Sequence, residues 1–205
     1  MKFNRNILNL QELNFLRGLN LNIGIFGGTF DPAHLGHLSI SIQALNFYHF
    51  DYVIWLVANQ NPDKPKNIRN IFDRAQTALD IAQHPKIIVS TAEYDLNCYF
   101  TYDSIKSITN RFPSSKFTWI MGIDNIIHFK NWYRINDLRA LCNIIIFDRP
   151  VAYRMINIDT LGLNDKPYLA KTKTNNIIIH RSKLCDLSSS FIRFSKDKNH
   201  GSNSG

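Results

Sequence analysis

The chain has 205 residues, 44% hydrophobic and 20% charged, and its 24 Lys and Arg against 16 Asp and Glu give a formal net charge of +8. That is an ordinary composition for one domain near the upper size of a single core; its apolar runs fall far short of the roughly 20 residues of a membrane span, and three cysteines without a C-x-x-C pair suggest neither a disulfide framework nor a thiolate metal site, which fits a reducing, cytoplasmic setting. The positive excess draws anionic ligands, but the basic residues are dispersed, so nucleotides suit it better than nucleic acid, and no membrane partner is expected.

Residues 1–20 form an N-terminal extension. Lys2 and Arg5 are followed by Asn alternating with Leu and Ile, without the apolar run or small-residue cleavage site of a secretory leader. The spacing of Ile7, Leu10, Leu13 and Leu16 permits an amphipathic helix, with disorder as the alternative. A single domain then spans 21–194. Residues 21–26 are a strand, the glycines and Pro32 that follow make a loop, and an apolar-periodic helix occupies about 38–47. The next strand, 52–57, is too apolar to face solvent and fits a sheet covered on both faces. A helix over about 70–83 presents Ile71, Ala75, Ala78, Leu79 and Ala82 on one side, and Pro85 ends it before a strand at 87–90. A helix at 102–111, a strand at 117–121, a helical stretch ending near Leu141 and strands at 143–147 and 176–180 complete the alternation. Strands alternating with helices imply right-handed crossovers and an α/β fold, a Rossmann-like doubly wound parallel sheet. Such sheets bind ligands beyond the carboxyl ends of their strands. The tail, 195–205, is charged and then Gly- and Ser-rich, and is expected to be disordered.

The loop after the first strand reads Gly27-Gly28-Thr29-Phe30-Asp31-Pro32-Ala33-His34-Leu35-Gly36-His37. Two glycines allow a sharp turn and let backbone N–H groups approach a phosphate without a Cβ in the way. Thr29 can add a hydroxyl. His34 and His37, at i and i+3 where a helix opens, can both face one anion beside the helix N-terminus. The plainer alternative is a turn followed by two helix-capping histidines. Zinc is discounted, because no third Cys, Glu or His stands at ligand spacing.

This string resembles the Gly-Gly-Thr-Phe-Asp-Pro-x-His-x-Gly-His signature of the nucleotidylyltransferase superfamily, in the version of bacterial nicotinate mononucleotide adenylyltransferases. The resemblance implies that His34 and His37 are catalytic and contact ATP phosphates, that Gly27, Gly28, Thr29 and Phe30 line the ATP site, and that Gly28 and Thr29 also meet the acceptor phosphate. Late in the chain, Leu187-Ser188-Ser189-Ser190-Phe191-Ile192-Arg193 would cap a helix with its free N–H groups outward and an arginine one turn on, a receptor for polyphosphate or an ordinary N-cap. It is similar to the superfamily's Ile-Ser-Ser-Thr-x-Ile-Arg, which implies that Ser189, Ser190 and Arg193 hold ATP phosphates.

Further segments bear on the acceptor. Asn61-Pro62-Asp63-Lys64 looks like the family's Asn-Pro-x-Lys, whose lysine assists phosphate binding. Phe100-Thr101-Tyr102-Asp103-Ser104-Ile105 resembles Tyr-Thr-x-x-Thr-Leu, which opens a helix beside the pyridine ring and implicates Thr101 and Tyr102. Met121-Gly122-Ile123-Asp124 matches Met-Gly-x-Asp, so Asp124 is expected to accept hydrogen bonds from ribose or amide groups of either substrate; a helix-starting Asp is the alternative. Trp132-Tyr133 corresponds to an aromatic pair that stacks on the nicotinate ring; a core position for Trp132 is the alternative, though its polar flanks Asn131 and Arg134 suggest half-exposure. Phe147-Asp148-Arg149-Pro150 resembles a strand-Arg-Pro element on the adenine side, with Arg149 as the contact. Family members usually continue through further helical structure where this chain has a polar tail after Arg193, which bears on packing and oligomerisation.

The resemblance implies transfer of AMP from ATP to nicotinate mononucleotide, with Mg²⁺ bound along with ATP and with ATP and a pyridine mononucleotide as partners. A homo-oligomer is left open. Phosphopantetheine or nicotinamide mononucleotide as acceptor, or a non-catalytic nucleotide-binding module, are the competing readings.

Overall fold

In the computed structural model, which describes residues 6–59, 68–148, 170–171 and 176–181, strands β1 (Asn22–Gly28), β2 (Tyr52–Val57), β3 (Ile87–Ser90), β4 (Lys116–Gly122), β5 (Asn143–Asp148), β6 (Ala170–Lys171) and β7 (Asn176–Arg181) form one sheet. Their order is β3-β2-β1-β4-β5-β7-β6. Neighbours are parallel except β6, a two-residue edge antiparallel to β7 that the alternation of elements does not foretell. The helices are α1 (Leu35–Tyr48), α2 (Ile71–Ile81), α3 (Ala92–Asp95), α4 (Thr101–Arg111), α5 (Ile126–Phe129) and α6 (Ile135–Leu141).

The two-residue period of the strands divides their side chains between two cores. Ile54, Leu56, Trp119, Met121, Ile144 and Ile146 go to one, with Tyr102, Ile105 and Ile108 of α4 and Leu138 of α6. Val53, Trp55, Val57, Ile120, Ile145 and Phe147 go to the other, with Ile40, Ala44 and Leu45 of α1 and Ile71, Ala75 and Ala78 of α2. Both faces are therefore covered, which is why these strands are continuously apolar. The buried Trp55 indole keeps its hydrogen bond, donating to Ser41 Oγ at 2.7 Å.

Among residues 6–20, Leu8, Leu13 and Leu16 pack on this body. Leu8 bridges to Ser90: its N–H donates to the Val89 carbonyl (2.9 Å), and its own carbonyl accepts from Thr91 N–H (3.1 Å) and Ser90 Oγ (2.7 Å). Helix is present, but as a short 3-10 turn, Glu12–Leu16, that puts Leu13 and Leu16 into the first core. Its start is fixed reciprocally, with Asn9 N–H on the Glu12 carboxylate and Glu12 N–H on Asn9 Oδ1. The helical stretch expected to end near Leu141 is two helices, separated where Arg134 takes a left-handed φ of 51°. The tail from 195 lies outside the described residues. No helix among the described residues is long and apolar enough to cross a membrane.

From β1 the chain steps outward to β2 and β3, then returns to the far side of β1 as β4. The crevice of such a sheet opens at the carboxyl ends of the two strands where the order reverses. Here these are β1 and β4, held side by side with Phe26 opposite Ile120.

Candidate active site

At the carboxyl end of β1, Gly27 and Gly28 are still strand residues, in register with Leu56 and Val57 of β2. Gly27 is strand rather than turn, and packing sets a constraint of its own on it. A Cβ there would lie 1.8 Å from Cη2 of Trp119, so the residue is glycine because an indole on β4 packs against its backbone. The turn itself is made by Phe30, at φ 51°, which folds its ring back to stack on Trp55 at 5.1 Å and 10°. Phe30 is 2% exposed, so its ring belongs to the second core. Thr29 is exposed beside it.

His34 is the N-cap of α1 and His37 its third residue, and the two close a reciprocal cap. His34 Nδ1 accepts from Gly36 N–H (3.1 Å), and His37 Nδ1 accepts from His34 N–H (3.1 Å). An accepting Nδ1 assigns the proton of each neutral ring to Nε2. The rings lie 3.8 Å apart, and His37 also packs on Phe26 and Phe30. This fixes two imidazoles as Nε2–H donors at a helix N-terminus, where backbone dipoles already favour an anion. They are not equally open: His34 is 3% exposed, and His37 is half-buried.

Asp124 is exposed in a single 3-10 turn after β4, so it shares the carboxyl rim with the glycine-rich loop. Gly122 before it is close-packed against it, since a Cβ there would stand 2.6 Å from Asp124 Oδ1. On the same rim, Thr101 opens α4, and Trp132 and Tyr133 lie between α5 and α6. The structure brings these together: Tyr133 packs on Phe100 at 4.8 Å, and the Arg134 guanidinium sits 4.3 Å over the Tyr102 ring. Trp132 is half-buried, as its polar flanks suggested, and meets Trp119 and Phe129 edge-on. Tyr102, expected beside the acceptor, has its ring in the first core, so the exposed aromatic surface at this end belongs to Phe100 and Tyr133. Lys64, Arg149, Ser189, Ser190 and Arg193 lie outside the described residues.

Charged residues that the motifs do not include surround this loop. Arg69 pairs with the loop's own Asp31 at 2.7 Å. Arg74 is buried in α2; burial lowers its pKa, opposed by nearby Asp31 and Glu93. Glu93, in α3, is pushed up to about 7 by burial, against the pull of hydrogen bonds from Ser104 and Asn59 and of the Arg74 charge. A readable trace of Arg74 exists, because it falls on the stripe of Ile71, Ala75 and Ala78. For Glu93 there is none, since four-residue α3 has no periodicity to read.

The chain is similar to known proteins. The family model described as cytidylyltransferase-like matches residues 25–194. A curated relative from Parvibaculum lavamentivorans, named probable nicotinate-nucleotide adenylyltransferase, is 38% identical over 63% of this chain and 65% of its own length. One of the same name from Roseobacter denitrificans is 37% identical over 62% of this chain and 64% of its own. The matched segment thus spans a little under two thirds of these relatives. Among solved structures, Plasmodium falciparum nicotinic acid mononucleotide adenylyltransferase complexed with NaAD has a TM-score of 0.65 at 22% identity, over 85% of this chain and 83% of that one, a likeness of fold. The family match begins at Ile25 inside β1 and runs through both histidines to Phe194, past the Ser-Ser-Ser-Phe-Ile-Arg segment, and the chain belongs to the cytidylyltransferase-like family.

Proposed function

We propose that this chain transfers AMP from ATP to nicotinate mononucleotide, releasing pyrophosphate and forming nicotinate adenine dinucleotide, a step of NAD biosynthesis in the cytoplasm. The observation that carries the reading is the reciprocal histidine cap at the switch point, which sets two imidazoles side by side at the N-terminus of α1 with each Nδ1 accepting and the proton on Nε2. The names of the curated relatives support the acceptor.

In this reading an oxygen of the acceptor's 5′-phosphate attacks the α-phosphorus of ATP. A new P–O bond forms, the bond to the bridging α–β oxygen breaks, and its electron pair leaves with pyrophosphate. The attacking phosphate is already ionised, so no general base is required. His37, with His34 behind it, donates to the phosphate oxygens on which charge grows, a preorganised form of electrostatic stabilisation. Lys64, Ser189, Ser190 and Arg193 are assigned to the phosphates, Arg149 to the adenine side, and Asp124 to a ribose or amide. Mg²⁺ favours phosphate oxygens and water. The described residues hold no group of three candidate metal ligands and Asp31 is engaged by Arg69, so the ion suits the triphosphate of ATP, where it supplies charge neutralisation. Thr101, Trp132 and Tyr133, with Phe100, form the acceptor wall.

The test is pyrophosphate release from ATP with nicotinate mononucleotide, nicotinamide mononucleotide and phosphopantetheine offered separately. Release fastest with the nicotinate acceptor supports the reading. Preference for phosphopantetheine, or ATP binding without release from any acceptor, overturns it.

A further inference from the structure

Two buried charged side chains outside the signature segments join the phosphate loop to the acceptor wall. All three donor groups of the Arg74 guanidinium end on backbone carbonyls: Nε on Arg69 (2.9 Å), Nη1 on Thr29 (2.7 Å) and Nη2 on Ala58 (2.9 Å). Thr29 is in the glycine-rich loop. Ala58 follows β2, and its own N–H donates to the Gly28 carbonyl at 2.9 Å. One residue on, the Asn59 N–H donates to Glu93 Oε2 (2.8 Å), and Glu93 Oε1 accepts from Ser104 Oγ (2.7 Å) in the first turn of α4, three residues past Thr101. The path from Thr29 through Arg74, Ala58, Asn59 and Glu93 to Ser104 is unbroken.

Burying a guanidinium and a carboxyl is expensive, and apolar side chains would fill the same space with less penalty. Here both side chains hold backbone at defined places, and the rigid planar fork of arginine suits three fixed carbonyls as an ammonium would not. We infer that Arg74 and Glu93 are positioning residues that set the spacing between the glycine-rich loop and α4 through the end of β2. This rests on the adenylyl-transfer reading for its consequence. Two substrates must meet across that spacing, and a displacement of about 1 Å in such a site lowers rate by about a hundredfold.

Glu93 is 5% exposed, so Glu93→Met suits its surroundings while removing both acceptors. Glu93→Gln keeps the geometry: its amide oxygen can accept from Asn59 and its nitrogen can donate to Ser104 Oγ, whose hydrogen then goes to the Phe100 carbonyl 3.2 Å away. With nicotinate mononucleotide varied, Glu93→Met is expected to raise the acceptor KM about tenfold, to leave the ATP KM within about twofold, and to be rescued by Gln. Ser104→Ala should raise the acceptor KM by itself and add nothing in the Glu93→Met background. Arg74→Lys should lower kcat about tenfold with less change in the acceptor KM. Amide hydrogen exchange at Asn59, measured without substrate, should speed up in Glu93→Met and not in Glu93→Gln. Equal losses in both KM values, or additive Glu93 and Ser104 effects, overturn the inference. Should Glu93→Met not fold, Ser104→Ala carries the KM test and Glu93→Gln the rescue. If the wild type transfers AMP to no acceptor, the functional reading falls, while Asn59 exchange still decides the link: unchanged exchange in Glu93→Met rejects it.

Discussion

The two ends of the site are built differently. At the β1–α1 end the groups proposed to face phosphate are backbone amides and two imidazoles, each held by a bond to the chain itself: the histidines cap one another's turn, Phe30 is pinned on Trp55, and Arg74 holds the Thr29 carbonyl. At the α4 and α5–α6 end the surface carries exposed aromatic side chains, with Phe100 41% and Tyr133 49% exposed and in contact with each other. A triphosphate is the same in every nucleotidyl transfer, so its receptor can be fixed into the core. An acceptor ring differs between enzymes, and exposed side chains can change without disturbing the sheet.

The contrast breaks most sharply at His37. Glutamine at the third helical position keeps the side-chain acceptor that closes a capping box, so His37→Gln separates the cap from the imidazole. Turnover is expected to fall by about a hundredfold to a thousandfold, as for loss of a preorganised oxyanion donor, with thermal stability nearly unchanged. A variant that keeps wild-type turnover would remove His37 from the chemistry and leave the pair as a helix cap.

Next in size is the pH response of the buried link. The folded Glu93 carboxyl titrates at about 7 against a usual 4.5. Between those values the folded chain keeps a proton that the unfolded chain gives up. Its contribution is therefore present below about pH 4.5 and lost as pH rises through 7, a change on the order of 3 kcal/mol. His84 and His180, both lowered chiefly by burial, act in the opposite sense, losing stability as pH falls. The readout is thus the difference between wild type and Glu93→Gln in urea midpoints at pH 5 and pH 8. The glutamine chain should gain on the wild type at pH 8, and a pH-independent difference would contradict the shift.

Gly27 shows how far the sequence can be read. The proposal that the segment binds phosphate can be drawn from its residue types, and the alternation of apolar runs is enough to predict the parallel sheet. Why Gly27 is glycine is not legible, because the clash is with Trp119, ninety-two positions away and joined to it through the pairing of β1 with β4. Arg74 could have been noticed as a cation on an apolar helix face. Glu93 could not, because its carboxyl joins Asn59 after β2 to Ser104 in α4, contacts without a local pattern. The break at Arg134 is similarly hidden, since a left-handed arginine has no signature of its own. Gly27→Ala tests the long-range explanation: overpacking costs about 1–3 kcal/mol, and Trp119→Phe, which shortens the ring, should recover part of it. A Gly27→Ala chain as stable as wild type would return the glycine to the phosphate.

The smallest effect expected is at the exposed end, and it sharpens the contrast. Tyr133→Ala removes one face of the Phe100 pair, a contact of about 0.5–1.5 kcal/mol. If that face belongs to the acceptor wall, the acceptor KM rises severalfold. The ATP KM should hold, because the phosphate groups are fixed from the other end. The melting temperature should hold too, because an exposed substitution shifts stability by about 0.5 kcal/mol or less. Arg134 remains over Tyr102 and Asp137 remains beside Arg134, so the turn between α5 and α6 keeps its shape in the variant. An unchanged acceptor KM would then mean that the pyridine ring meets Trp132 alone, and that the exposed pair lies outside the site.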